Sequence, residues 1–249
     1  MKKLIAFDLD GTLALSKQPL DDDMAALLAR LMDVAMVAII SGGDWPQFEK
    51  QVVSRIPAGA KLDNFIILPT TGTKLYRFHD GAWDRIYADL FSADESKQIR
   101  DALQQAVKQA GYADERTWGE QIEDRGSQIT FSALGQQAPL DAKDKWDPDH
   151  KKREKLQALL QPMLPGLSIN IGGSTSIDIT RKGIDKAYGL KRLSEQTGVA
   201  LDDILFLGDA IFPGGNDYPA KQLGLDTVRV RDVDETKAVV SAIAVCLKP

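Results

Sequence analysis

The chain has 249 residues, 43% of them hydrophobic and 27% charged, with 31 Lys and Arg against 36 Asp and Glu for a formal net charge of -5. That balance is ordinary for a globular protein, and without a dense basic stripe it speaks against a nucleic-acid partner; Lys151-Lys152-Arg153 reads as solvated helix surface. One cysteine, Cys246, excludes an intrachain disulfide framework, fits a reducing compartment and is expected to pack within a helix.

At the amino end, the apolar run Leu4 to Phe7 is too short for a signal core and meets carboxylates at once. Neither a signal peptide nor a membrane span is expected, and the cytoplasm is the expected compartment. The same run reads as a first strand. Residues 21–32 (DDDMAALLARLM) have acids in the first turn and apolar residues at helical spacing, so a helix is predicted. Residues 34–40 (VAMVAII) form a continuous apolar run, suited to a strand covered on both faces. A helix over 45–55 and a strand over 65–68 follow. Strands alternating with helices predict a parallel α/β sheet, whose ligands gather beyond the carboxyl ends of its strands.

The rhythm then changes. A hairpin is predicted over 76–87, around His79-Asp80-Gly81. A long helix is predicted over 92–111, capped by Ser92. Short strands are expected at 118–123 and 127–132, a loop over 135–148, a helix over 149–160, and strands at 167–171 and 175–180. From residue 184 the alternation resumes: helix 185–197, strand 204–207, a helical piece 219–223, strand 227–230 and helix 235–245. The expected architecture is a core formed by residues 1–86 and 184–249, with an α+β domain inserted over 87–183.

Chemistry gathers at the ends of the predicted strands. In KLIAFDLDGTL, Asp8 and Asp10 are two apart and share a face, abutting an apolar strand where unpartnered carboxylates are expensive. Gly11 permits a sharp turn, and Thr12 offers a hydroxyl and an amide. The pattern suits a hard divalent cation bridging carboxylate to phosphate. A helix cap or solvated turn would explain the glycine and one acid, and an acid pair of this spacing also occurs in metal-dependent glycosyltransferases. The 34–40 strand runs into Ser41-Gly42-Gly43, which offers a hydroxyl and backbone amides for phosphate. Lys186 opens a helix as a mobile positive charge. Residues 204–207 lead into Gly208-Asp209 and the acidic glycine loop Pro213-Gly214-Gly215-Asn216-Asp217. Singly, Ser41 could be a helix cap, Lys186 a surface charge and Asp209 a turn residue.

Together, FDLDGTL, Ser41, Lys186 and GDAIFPGGND resemble the haloacid dehalogenase superfamily of phosphotransferases. The position of the insertion resembles the subfamily IIB type with a large α/β cap, called C2B. The long last loop resembles that of eukaryotic-type phosphomannomutases. The resemblance implies a Rossmann-like core and a Mg²⁺-dependent reaction. In it Asp8 is the nucleophile that becomes an aspartyl-phosphate, and Asp10 is the general acid and then general base. It further implies that Mg²⁺ is held by Asp8, the backbone carbonyl of Asp10, and Asp209. Ser41 and Lys186 would grip the transferred phosphoryl group with the Gly42 amide beside them, and Asn216 and Asp217 would orient the metal shell and the lysine.

In the cap, the resemblance places Arg125, Ser176 and Asp178 at positions that bind phosphate or sugar. Lys17 stands where that family has a core arginine, and Gln136 and Lys143 where it has two more. Glutamine is neutral and lysine a point charge, so the cap is less equipped for a second phosphate than one bearing arginines. Arg125 could instead pair with Glu123 or Asp124, and Lys143 lies in a charged segment. Asp178, between Ile177 and Ile179, needs a polar partner or a ligand.

The expected activity is hydrolysis of a small sugar phosphate or a related phosphorylated metabolite. The alternatives are a phosphohexomutase interconverting mannose 1-phosphate and mannose 6-phosphate, and a catalytically weak sugar-phosphate-binding regulator. A monomer or a cap-mediated homodimer is expected.

Overall fold

The computed structural model describes residues 1–248. Two compact units emerge, one of Met1–Ala88 with the chain from Ile184 onward, the other of Asp89–Gly183.

The chain enters on β1 (Leu4–Phe7), followed by α1 (Asp22–Met32), β2 (Met36–Ile40), α2 (Trp45–Gln51), β3 (Phe65–Leu68) and the hairpin β4 (Lys74–His79) and β5 (Ala82–Ala88). The Asp21 carboxylate caps α1 by accepting from the Met24 amide at 2.8 Å. The second unit holds α3 (Ala93–Ala110), β6 (Ile122–Asp124), β7 (Gln128–Ser132), α4 (Leu140–Trp146), α5 (Lys151–Met163), β8 (Leu167–Ile171) and β9 (Ser176–Arg181). The chain then returns to the first unit with α6 (Lys186–Thr197), β10 (Ile204–Gly208), α7 (Tyr218–Gln222), β11 (Asp226–Arg229) and α8 (Val233–Cys246).

The first unit's seven-stranded sheet has the order β11-β10-β1-β2-β3-β4-β5. β11 through β3 are parallel, and β4 and β5 add antiparallel strands at one edge. β1 is apolar throughout because both faces are covered. Ile5 and Phe7 join Leu28, Leu31 and Val240 of α1 and α8, while Leu4 and Ala6 join Leu190 and Leu193 of α6. The second unit is a four-stranded antiparallel sheet, β6-β7-β9-β8, apolar on one side. Ile129, Phe131, Ile177 and Ile179 pack there with Leu103, Leu156 and Leu160 of α3 and α5.

Four sequence expectations are corrected. The segment 135–148 is not all loop, since it contains α4. The strand expected over 118–123 shrinks to β6 at 122–124, and the helix over 149–160 runs on to Met163 with Pro162 in its last turn. Cys246 ends α8 exposed rather than packed.

Candidate active site

Alternation along β1 decides where Asp8 lies. Leu4 and Ala6 point to the α6 face, and Asp8, next in that register, lies where α6 begins. Its amide still donates to Leu207 O at 2.9 Å, so the carboxylate leaves the last paired position of the strand. Gly11 follows with φ +85°, and a Cβ there would sit 2.6 Å from Asp209 Oδ2. Glycine therefore serves both the left-handed turn and the approach of β1 to β10. Thr12, fully buried, ties the two strand ends together: its hydroxyl donates to Asp8 Oδ2 at 3.4 Å and accepts from the Asp209 amide at 3.1 Å.

Lys186 is the first residue of α6, whose cap Asp185 accepts from the Tyr188 amide at 2.9 Å. The lysine is neither the surface charge that its position taken singly allowed nor freely mobile, but a buried cation beside Asp8. It is 2% exposed, and its ammonium donates to both Asp8 Oδ1 and Asp217 Oδ1. Asp217 is buried as well. Its second oxygen accepts from the Ala210 amide at 3.0 Å, over a Gly208 whose missing Cβ would overlap it.

Burial would lower the Lys186 pKa, but the charges of Asp8 and Asp217 outweigh it and hold the ammonium above its usual range. Burial pushes Asp8 up to about 6, with Lys186 opposing and Asp217 adding to the rise. Asp209 is raised too, by burial and then by the Asp217 charge. Single ligand atoms of Asp8, Asp209 and Asp217 all lie within 4.8 Å of one another. Three hard oxygen donors at that spacing, two of them resisting ionisation, fit a divalent cation that prefers carboxylates.

Asp10 accepts at Oδ1 from the backbone amide of Lys17 at 2.7 Å. The sequence pointed to the Lys17 side chain, whereas the structure joins the main chain of that residue, in a left-handed turn of φ 59°, to the acid. Ser41 is buried, its hydroxyl accepting from the Gly43 amide at 3.4 Å, and Gly42 is exposed beside it. The Thr70–Thr71 turn braces this loop: Thr71 N donates to Ser41 O at 2.9 Å and Thr70 N to Gly43 O at 2.8 Å. Asn216 stays exposed on the glycine loop.

The remaining expected residues lie in the second unit. Asp178 of β9 accepts at Oδ1 from Thr130 Oγ1 at 2.7 Å and Gln128 Nε2 at 3.0 Å, both on the neighbouring β7. Ser176 precedes it on the same face, opposite Ser132. Arg125 donates to Glu123 Oε2 at 2.8 Å, the pairing that competed with a phosphate role. Lys143 donates to the Gln136 carbonyl at 3.3 Å, while the side-chain amide nitrogen of Gln136 is buried without a hydrogen-bond partner. Gln128 and Thr130 were not singled out in the sequence, although the alternation in QITFS puts both on the Asp178 face. Thr12 was read as offering a hydroxyl and an amide to a bound ion, and its bridging of Asp8 to Asp209 required the fold.

A profile of the eukaryotic phosphomannomutase family matches residues 24–243. Among curated relatives, the phosphomannomutase of Encephalitozoon cuniculi is 26% identical over 223 residues, 87% of this chain and 83% of that protein. Phosphomannomutase 1 of Homo sapiens is 27% identical, with 86% and 81% covered. Among solved structures, a haloacid dehalogenase-like hydrolase from Bacteroides thetaiotaomicron shares the fold at TM-score 0.66 and 16% identity, over 98% of this chain and 100% of that one.

Proposed function

The chain belongs to the eukaryotic phosphomannomutase family, and from that premise we propose that it is a hexose phosphate mutase working through Asp8. The observation that carries the reading is the single cluster of Asp8, Lys186, Asp209 and Asp217, assembled from β1, α6 and the loop after β10. The family match supports the mutase form because it runs through the inserted unit as well as the core.

Asp8 attacks the phosphorus through a carboxylate oxygen, the bond from phosphorus to the sugar oxygen breaks, and Asp10 gives that oxygen its proton. In the return step Asp10 takes a proton from an incoming hydroxyl, whose oxygen displaces the phosphoryl group from Asp8. With a hydroxyl of a hexose monophosphate as acceptor the product is a hexose bisphosphate, which turns over and returns its other phosphoryl group to Asp8, leaving the isomer; with water as acceptor the outcome is hydrolysis. Lys186 keeps Asp8 ionisable despite burial, and Ser41 and the Gly42 amide face the phosphoryl oxygens. We assign Mg²⁺ to Asp8, Asp209 and the Asp10 carbonyl, where it would supply positive charge against the phosphoryl oxygens. Asp217 is the acid committed to Lys186, and Asn216 supports the loop between them. The inserted unit is assigned the role of cap, with Ser176 and Asp178 for the sugar and Arg125 and Lys143 for phosphate, while Lys17 is a core residue assigned to phosphate.

Hydrolysis is the second reading, and one feature favours it. Where a cap holding a second phosphate profits from guanidinium groups, this one has Gln136 and a Lys143 turned onto the Gln136 carbonyl. The two are separated by incubating the protein with mannose 1-phosphate and Mg²⁺, with and without a hexose bisphosphate, and following mannose 6-phosphate and inorganic phosphate together. Mannose 6-phosphate that depends on the bisphosphate is the expected result. Phosphate release without isomer replaces the mutase reading with hydrolysis.

A further inference from the structure

Arg153 is an expensive residue to have where it is. Its side chain is 3% exposed and that of its partner Asp147 is 0% exposed, and a buried ion pair seldom stabilises a fold more than apolar side chains of the same volume. The pair is elaborately satisfied. Asp147 accepts from the Lys152 amide at 2.9 Å, the Arg153 amide at 3.2 Å and Arg153 Nε at 2.7 Å, which caps the start of α5. Arg153 Nη2 donates back to the Asp147 carbonyl at 3.3 Å. That leaves Nη1, which leaves the pair and donates to the carbonyls of Gly172, at 3.2 Å, and Gly173.

Those two glycines open the four-residue turn, 172–175, from β8 to β9. The Gly172 amide donates to Ser176 O at 2.9 Å, closing the turn on the residue that precedes Asp178 on that face. Gly172 has no left-handed backbone to accommodate, so conformation alone does not require glycine there. Space does: a Cβ at this position would lie 2.9 Å from Asp178 Oδ2 and 3.3 Å from the Ser176 Cβ. Asp178 is thus bounded on both sides, by Gln128 and Thr130 at Oδ1 and by the bare main chain of Gly172 at Oδ2.

We propose that the Arg153–Asp147 pair is the positioning element of the cap's sugar subsite: it grips the Gly172–Gly173 turn and thereby sets the orientation of the Asp178 carboxylate. The proposal rests on the sugar-phosphate reading given above. Arginine is needed because its planar fork reaches Asp147 and the turn at once; lysine keeps the charge and loses the reach.

The test is steady-state turnover of the whole Mg²⁺-loaded protein with two phosphoryl donors, mannose 1-phosphate supplied together with a hexose bisphosphate, and acetyl phosphate, which lacks a sugar. The readout is the ratio of their kcat/KM values, which a general loss of folded protein does not move. Arg153→Lys and Gly172→Ala are each expected to lower the ratio about tenfold, the size of one weakened charge-assisted hydrogen bond, chiefly through KM for the sugar phosphate. Gly172→Ala leaves the ion pair intact, so it reads the carboxylate even where Arg153→Lys fails to fold. Retention of the wild-type ratio by Gly172→Ala overturns the proposal, whatever Arg153→Lys does. Asp178→Ala reports on the reading beneath it: a lowered ratio there with an unmoved one in Gly172→Ala leaves the subsite standing and removes only the positioning role. A wild type inactive on every hexose phosphate removes both.

Discussion

Burial, and after it the Asp217 charge, raises the Asp8 pKa to about 6, yet the proposed chemistry needs it ionised. Lys186 reconciles the two. Replacing the nucleophile alone tests the assignment. Asp8→Asn keeps the shape, and its turnover of mannose 1-phosphate is expected to fall about 10³-fold or more while calorimetric binding of the sugar phosphate persists. A near-normal rate would remove the covalent step. A second prediction concerns the turn behind Ser41. Thr70 and Thr71 have φ of 47° and 59°, a left-handed conformation that costs a residue with a Cβ roughly 1–2 kcal/mol. The Thr70 hydroxyl is engaged with that of Thr73 at 2.6 Å and is best left alone. Thr71→Asn replaces a β-branched residue with one that tolerates the same backbone, and urea unfolding is expected to show a gain of about 0.5–1 kcal/mol. A lowered midpoint would mean that the Thr71 side chain holds the Ser41–Gly43 loop through a contact of its own.

Among the elements, those with a strong period and a capping residue were legible. α3 begins after Ser92, its predicted cap, α1 begins one residue past its predicted start at Asp21, which caps it, and β1, β3 and β8 fall on the expected residues. What escaped was α4, because LDAKDKW has no apolar stripe. Its anchor is tertiary: Trp146 packs edge-on to Tyr112 at 5.8 Å and donates to Glu115 Oε1 at 3.1 Å, partners more than thirty positions upstream. The start of α5 was misread for a related reason, since Asp147 caps it from outside the helix while also binding Arg153. That double duty makes an acid-stability prediction. Burial would raise the Asp147 pKa, but hydrogen bonds from Arg153 and from the Lys152 and Arg153 amides hold it below the usual carboxylate range. A carboxyl depressed in the fold stabilises above its unfolded pKa of about 4 and loses that contribution as pH falls through the folded value. Asp147→Asn is expected to destabilise the protein at pH 7, and the gap between variant and wild type should close as the pH is lowered below about 4. Urea midpoints measured across that range check it; a gap independent of pH would mean that the pair contributes through shape and not charge.

At the scale of the molecule, the core cluster was readable because each of its groups follows directly on a strand or opens a helix, and a parallel sheet collects those positions at one end. The cap's polar face was less so, since Gln128, Thr130 and Asp178 meet only through the β7–β9 register, 48 and 50 residues apart in sequence. The core cluster also joins the two ends of the chain, and its electrostatics are unbalanced: Asp8, Asp209 and Asp217 share one buried ammonium, Lys186. The raised Asp209 pKa has a definite sign. A carboxyl whose pKa is higher folded than unfolded binds its proton more tightly in the fold, so its ionisation destabilises at pH values above that window and the penalty fades as pH falls through it. Near pH 7 without metal, Asp209→Asn is therefore expected to melt above the wild type, by roughly 2–4 °C for each kcal/mol of repulsion removed. Mg²⁺ should reverse the order. A cation bound only by the folded state adds about 2.7 kcal/mol at a hundred times its dissociation constant, which raises the wild-type melting temperature and leaves the variant nearly unmoved. Melting curves of both proteins in a chelator and across a Mg²⁺ titration make the comparison. A variant that responds to Mg²⁺ as the wild type does would take Asp209 out of the metal site, and an apo variant less stable than the wild type would mean that the carboxylates are not in conflict there.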